Sequence, residues 1–130
     1  MERLAPILIR PAGRRDLEKF YGTRGAVLPT VVALVGIVDG EIVGVGGISR
    51  AQGRRIAFCD VTDAGRRYKM AIVRAGRRLM SDVAKNAALH KRGANIFARL
   101  DPNQAGAERF LASLGFRPLP DHEGVFRWQV

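Results

Sequence analysis

Apolar and polar positions change period several times along this chain, and each change marks an element. Pro6-Ile7-Leu8-Ile9-Arg10-Pro11 reads as a short strand ended by proline. Gly13 to Gly22 reads as a short helix with Leu17, Phe20 and Tyr21 on its apolar side and Gly22 as its C-terminal cap. Thr23 to Thr30 is loop-like, with Gly25 and Pro29. Two β-rich runs follow, Val31 to Val38 and Glu41 to Ile48, separated by Asp39-Gly40. Both central residues of a type I′ turn need positive φ, which Asp-Gly supplies, so the pattern predicts a hairpin. Gly44, Gly46 and Gly47 weaken strand propensity and mark a bulge or the close approach of another group.

After a turn at Ala51-Gln52-Gly53, Arg54 to Val61 alternates as a third consecutive strand. Ile56, Phe58 and Asp60 share one face, and Ala57, Cys59 and Val61 the other. From Tyr68 to Leu89 the spacing turns helical: Ile72, Gly76, Leu79, Val83 and Ala87 form one stripe, widened by Val73, Met80 and Ala84. Gly76 within that stripe lets the helix lie close to a sheet. Ala94 to Leu100 reads as a strand, placed parallel to Arg54–Val61 by a right-handed crossover. Asp101-Pro102-Asn103 opens another helix, capped by Asp101 or Asn103, with Ala107, Phe110, Leu111 and Leu114 buried and Gly115 closing it. A loop with Pro118 and Pro120 leads to a last strand, Gly124 to Val130.

A chain of 130 residues with 47% hydrophobic and 26% charged positions has the material for one core, so a single domain over 1–130 is expected. Met1 to Ile9 lacks the basic-then-apolar layout of a signal peptide, and the apolar run Val27 to Val38 is broken by Pro29 and Gly36 and too short to span a bilayer. The expectation is a cytoplasmic protein with no membrane partner. Cys59, the single cysteine, has no partner for an internal disulfide and no soft co-ligands for structural zinc, and two histidines add little metal capacity. The net charge is +10, from 22 basic residues of which only Lys19, Lys69, Lys85 and Lys91 are lysines. Such a field favours anionic partners, nucleic acid or an acidic protein surface among them. An arginine-rich coding bias spread over a solvated surface reads as well.

The element order, strand, helix, hairpin, strand, long helix, strand, helix, strand, resembles the GNAT superfamily of N-acetyltransferases over essentially the whole chain. Val38-Asp39-Gly40-Glu41-Ile42-Val43-Gly44 is similar to that family's second-to-third-strand hairpin. Ala107-Glu108-Arg109-Phe110-Leu111-Ala112-Ser113-Leu114-Gly115-Phe116 is similar to its late helix ending in Leu-Gly-Phe. The resemblance implies an α/β (α+β) fold: a mixed, mostly antiparallel sheet of about six strands flanked by helices, with a central parallel pair.

It also implies acetyl-CoA as co-substrate, held between the fourth and fifth strands, and direct acyl transfer to an amine on a small molecule or a protein. The CoA pyrophosphate would meet a helix N-terminus, where unpaired N–H groups and the helix dipole attract anions. That segment here is Asp63 to Ala71. The implied binding residues are Cys59, Val61, Arg66, Arg67, Tyr68, Lys69, Met70, Ala71 and, before the late helix, Asn103, with Gln104 at the family's frequent asparagine position. Two features depart from the family. Arg67-Tyr68-Lys69-Met70-Ala71 replaces its Gly-x-Gly or Gly-x-Ala turn, leaving phosphate to arginine side chains, which pair with it bidentately. Leu111 stands where the family often has a tyrosine that protonates the leaving thiolate.

For catalysis the resemblance points to Asp60 as a general base; its structural alternative is a partner for Arg66, Arg67 or a backbone amide. Asp63 reads as a helix cap, Glu41 as a solvated turn residue, His90 as a cation complementing a helix C-terminus, and Cys59 as a packing group. Tyr68, inside the turn, is the better tyrosine for ligand contact. A second functional reading stays open, motivated by the charge, the missing turn glycines and Leu111. It is the same fold without catalysis, a binding or structural subunit on nucleic acid or in an assembly such as a phage particle.

Overall fold

The Asp39-Gly40 pair turns the chain back on itself with both residues at positive φ, 50° and 80°, and sets Val38 opposite Glu41. That hairpin lies within a computed structural model that describes residues 4–22, 30–51, 53–89, 95–100 and 106–128. In chain order the elements are β1 (Leu8–Pro11), α1 (Arg14–Tyr21), β2 (Thr30–Val38), β3 (Glu41–Ala51) and β4 (Arg54–Val61). A 3₁₀ turn over Gly65–Tyr68 then leads into α2 (Lys69–Leu89), β5 (Ile96–Arg99), α3 (Ala107–Leu114), β6 (Phe116–Pro118) and β7 (Val125–Trp128).

All seven strands form one sheet in the order β1-β2-β3-β4-β5-β7-β6. β4 and β5 are parallel and every other adjacent pair is antiparallel. The sheet thus has one strand more than the sequence suggests. The addition is β6, which the prolines at 118 and 120 disguise as loop. Phe116 is wholly buried and opposite Trp128, while Pro118 ends an edge strand, where a missing N–H leaves no ladder bond unmade.

Alternation along the strands separates two cores. Ile48, Ile96, Ala98, Phe116 and Phe126 pack beneath Met80 of α2 and Leu114 of α3. Ala33, Val35 and Val45 pack beneath Leu17 and Phe20 of α1 on the opposite face, with Phe58. Ile48, Ile96 and Phe116 are fully buried, each contributing roughly 1.5–3 kcal/mol of transfer free energy. Trp128 closes the first core by donating its indole N–H to the Leu114 carbonyl at 2.9 Å.

Two local expectations are corrected. The late helix starts at Ala107 with Gly106 as N-cap at φ 81°, a conformation glycine takes without a Cβ penalty. Asp101 and Asn103, the expected caps, lie outside the described residues. Gly76 makes room for α3 rather than for the sheet, since a Cβ there would meet the Leu114 Cδ2 at 2.6 Å. Gly22 caps α1 as expected, its N–H donating to the Glu18 carbonyl at 2.8 Å.

Candidate active site

The parallel pair at the centre of the sheet is short. β4 and β5 are in register only at Arg55–Ile96 and Ile56–Phe97. Beyond that point β4 runs on to Val61 against β3, while β5 at Ala98 and Arg99 pairs with β7. The two strands diverge, and the facing edges of Ala57–Val61 and Ala98–Arg99 have no strand partner among the described residues. Such edges offer unpaired N–H and C=O groups to an extended ligand.

A cavity of about 510 Å³ opens at this divergence, lined by Cys59, Asp60 and Val61 of β4, Ala98 and Arg99 of β5, Ile72 and Ala75 of α2 and Phe110 and Leu111 of α3. That volume suits a small-molecule site. Missing side chains create part of it. Gly44 stands beside Val61 and Gly46 beside Cys59, and Gly36 lies across from Gly44, so the sheet floor here is backbone. Gly44, Gly46 and Gly47 all line the cavity, and Gly47 also permits close strand packing, since a Cβ there would press on the Val32 carbonyl.

The turn from β4 into α2 closes one end. Thr62 donates its N–H to the Val43 carbonyl at 2.9 Å, and its Oγ1 accepts the Gly65 N–H at 3.2 Å. The Arg66 N–H bonds back to the Thr62 carbonyl at 3.2 Å. The first amides of the turn are therefore turned inward. Gly65 is buried against β3, and an added Cβ would lie 2.3 Å from the Val43 carbonyl and 2.4 Å from Val61 Cγ1. What faces the cavity from this end is cationic side chain, Arg66 and Lys69. Arg67, Tyr68, Met70 and Ala71 do not line it. Met70 is 70% exposed, and Tyr68 donates its hydroxyl to the Ala5 carbonyl at 2.5 Å. Asn103 and His90 lie outside the described residues.

No protein-family model matches the sequence, and no curated protein matches it either. Solved structures do match in shape. The ribosomal-protein-S18-alanine N-acetyltransferase from Escherichia coli superposes with a TM-score of 0.54 at 16% identity, covering 95% of this chain and 93% of that one. An acetyltransferase of the GNAT family from Streptococcus pneumoniae gives 0.55 at 14% identity, over 94% and 96%. An N-acetyl transferase from E. coli, solved bound to coenzyme A, gives 0.50 at 14% identity, over 98% of both chains. The chain has the GNAT acetyltransferase fold.

Within this GNAT fold, the cavity holds one carboxylate with a fixed neighbour. Tyr21, at the end of α1, donates its hydroxyl to Asp60 Oδ2 in a short hydrogen bond. Asp60 stands opposite Val45, on the face that packs against α1, so its partner is a tyrosine and not Arg66, Arg67 or a backbone amide. Burial, then the Asp60 carboxylate, push the Tyr21 phenol well above its ordinary range, keeping it a donor. The Phe20 ring meets Tyr21 edge-on, with centroids 5.0 Å apart.

The sequence alone places Tyr21 on the apolar side of its helix. The available signal was the shared parity of Phe58 and Asp60, which turns the carboxylate toward whatever element covers Phe58.

Cys59, on the other face, is a packing group. Burial, and then the neighbouring Asp60 charge, push its thiol up to about 12, so at neutral pH it is no nucleophile. Leu111 does line the cavity, so the late helix presents alkyl surface to it. No helix among the described residues is long and apolar enough to cross a membrane.

Proposed function

We propose that this protein is an acyl-CoA-dependent N-acyltransferase, transferring an acetyl group directly from the thioester to an amine. The observation that carries the reading is the divergence of β4 and β5 over a cavity with a basic end and a single carboxylate. The fit to acetyl-CoA rests on three properties of the chain. The unpaired edge of Ala57–Val61 suits the amide-bearing pantetheine arm. Arg66 and Lys69 suit the pyrophosphate. The glycine floor leaves width for the arm to lie flat.

In this arrangement Arg66 and Lys69 neutralise phosphate charge through their side chains, which offsets the loss of inward-turned backbone amides. The β4 edge aligns the thioester so that its carbonyl carbon meets the amine, and orientation of this kind supplies much of the rate. Asp60 attracts an ammonium acceptor and takes its proton, directly or through one water. Tyr21 holds Oδ2, which leaves Oδ1 to the acceptor. The amine then attacks the thioester carbonyl, the C–N bond forms and the C–S bond breaks. With Leu111 in the cavity wall, the departing thiolate takes its proton from water or from the acceptor nitrogen.

Thermal denaturation with acetyl-CoA tests the reading. A ligand at a hundred times its Kd stabilises the folded state by about 2.7 kcal/mol, a shift of several degrees for a chain of this size. No shift at millimolar acetyl-CoA would overturn it. Release of free thiol on adding a panel of primary amines then identifies the acceptor.

A further inference from the structure

The far half of the sheet alternates between core and cation. On β5, β7 and β6, Ile96, Ala98, Phe126 and Phe116 are buried toward α2 and α3. The residues between them, including Phe97, Arg117 and Arg127, face the other way. On that face α1 packs over Ala33, Val35 and Val45 of β2 and β3, at the other end of the sheet. Among the described residues no helix covers the far end, where Arg54 and Arg117 are exposed and Phe97 and Arg127 half-buried.

The register arranges three of these side chains in a row, with Arg54 diagonal to it. Phe97 is opposite Arg127, Arg127 is opposite Arg117, and the Arg54 guanidinium from β4 lies 5.8 Å from the centroid of the Phe97 ring. Read across the strands the row is Phe97, Arg127, Arg117, at intervals of about 4.8 Å, and Arg54 stands two residues along β4 from Ile56, the register partner of Phe97. None of the three arginines forms an ion pair with a described carboxylate; among the described residues the ion pairs are Arg10–Asp16, Arg14–Glu18 and Arg66–Asp63. Arg117 uses one N–H on the adjacent Phe116 carbonyl, at 3.3 Å. Directly opposed like charges destabilise a sheet, so Arg117 against Arg127 is a strain that an anion lying across both relieves. Arg99 belongs to the cavity lining and is left out of this set.

An acidic peptide and a nucleic acid both satisfy arginines; the ring decides between them. Phe97 ends the row, with Arg127 beside it and the Arg54 guanidinium near its ring. An aromatic on an open sheet flanked by cations is the arrangement on which a base stacks while its phosphates meet the charges. The chain's net charge of +10 supplies the long-range attraction. We propose that this face binds single-stranded nucleic acid, with phosphates on Arg54, Arg117 and Arg127 and a base on Phe97. The proposal does not depend on the acyltransferase reading.

Fluorescence anisotropy with a labelled oligodeoxythymidylate tests it, with an oligouridylate of equal length to separate DNA from RNA. Three phosphate contacts predict a log–log salt slope of roughly −2, so affinity falls about twentyfold from about 50 to about 200 mM salt. Arg117→Gln with Arg127→Gln lowers low-salt affinity about tenfold and flattens the slope by about 1.4. Phe97→Leu lowers affinity about tenfold at unchanged slope. The charge-matched control, Arg74→Gln with Arg78→Gln on the exposed side of α2, changes affinity by less than about threefold. Should the β6–β7 double variant fail to fold, Arg54→Gln at the exposed start of β4 carries the same test.

No binding at low salt, or equal losses in the two double variants, overturns the assignment. Tighter binding of polyglutamate than of the oligonucleotide reassigns the face to an acidic protein and overturns it too. Tighter binding of duplex than of single strand overturns the stacking part.

Discussion

Tyr21 and Asp60, 39 residues apart in sequence, are joined by a hydrogen bond that ties the end of α1 to the diverging end of β4. One end of the bond belongs to α1 and the other lines the cavity, so on the proposed mechanism loss of either partner separates two effects. Asp60→Asn removes the base and should lower kcat by about 10²–10⁴. Tyr21→Phe leaves the carboxylate but frees its rotation, and should lower kcat about three- to tenfold, with the KM for acetyl-CoA unchanged. Steady-state kinetics on both variants checks this; a Tyr21→Phe effect confined to the acetyl-CoA KM would remove Tyr21 from the acceptor side.

Cys59 predicts an alkaline weakness. Its thiol ionises at about 12 in the folded chain against an ordinary 9.0, so the unfolded chain loses its proton first. The stabilisation is therefore complete below about 9 and lost as pH rises toward 12. At pH 8 the folded thiolate fraction is about a thousandfold below that of the unfolded chain. Iodoacetamide should label Cys59 slowly in the folded chain and far faster in denaturant. Cys59→Ala should flatten the loss of melting temperature above pH 9.

Much of this fold is legible in the sequence where a local rule has one outcome. Asp39-Gly40 admits a tight hairpin and little else, and the helical spacing from Ile72 to Ala87 cannot be a strand. The rest depends on partners chosen across space. Phe116 to Pro118 has no periodicity to display in three residues, and only burial of Phe116 and pairing with β7 make it a strand. The site follows the same division. Asp60, Arg66 and Lys69, which line the cavity, could be named only through the resemblance to the GNAT superfamily. Tyr21 could not, because nothing in Gly13 to Gly22 says which strand end its hydroxyl will reach. The inward turn of the Gly65 and Arg66 amides was equally hidden, since it depends on Thr62 meeting Val43 of a neighbouring strand.

Gly65 gives a test of that turn. A methyl group there would press on the Val43 carbonyl and on Val61 Cγ1 at 2.3 and 2.4 Å, and a sheet carbonyl cannot move aside. Gly65→Ala should destabilise by about 2–3 kcal/mol, a fall of roughly 10 °C in melting temperature. Gly53 has φ 73° but nothing within 4 Å of an added Cβ, so Gly53→Ala should cost only about 1 kcal/mol. Calorimetric melting of both separates steric from conformational need for glycine.

At the acid end, Asp16 governs α1. Arg10 donates from Nη1 and Nη2 to its two oxygens at 2.9 and 3.0 Å, and the Gly13 N–H adds a third bond at 2.8 Å. First the Arg10 hydrogen bonds, then that amide, hold the carboxyl down at about 2, against 3.8 ordinarily. A lowered folded value means the stabilisation is complete above pH 3.8 and lost as pH falls toward 2. Asp16→Asn should therefore melt with less pH dependence across that window than the parent chain.

The basic end of the cavity is tested by changing the ligand along with the protein. Arg66 and Lys69 line the cavity while the neighbouring backbone amides bond inward, so the proposed function puts phosphate recognition on the two side chains. Arg66→Gln with Lys69→Gln should raise the KM for acetyl-CoA about thirtyfold and leave kcat nearly unchanged, because charge pairing with a remote phosphate stabilises ground and transition states alike. An acetyl thioester of pantetheine, which lacks the phosphates, keeps the same reacting carbonyl and amide arm. Its kcat/KM should be low with the parent chain and no lower with the double variant. Equal losses with both donors would mean that Arg66 and Lys69 shape the turn and do not bind phosphate. A loss restricted to acetyl-CoA would assign them the task that glycine amides perform elsewhere in this fold.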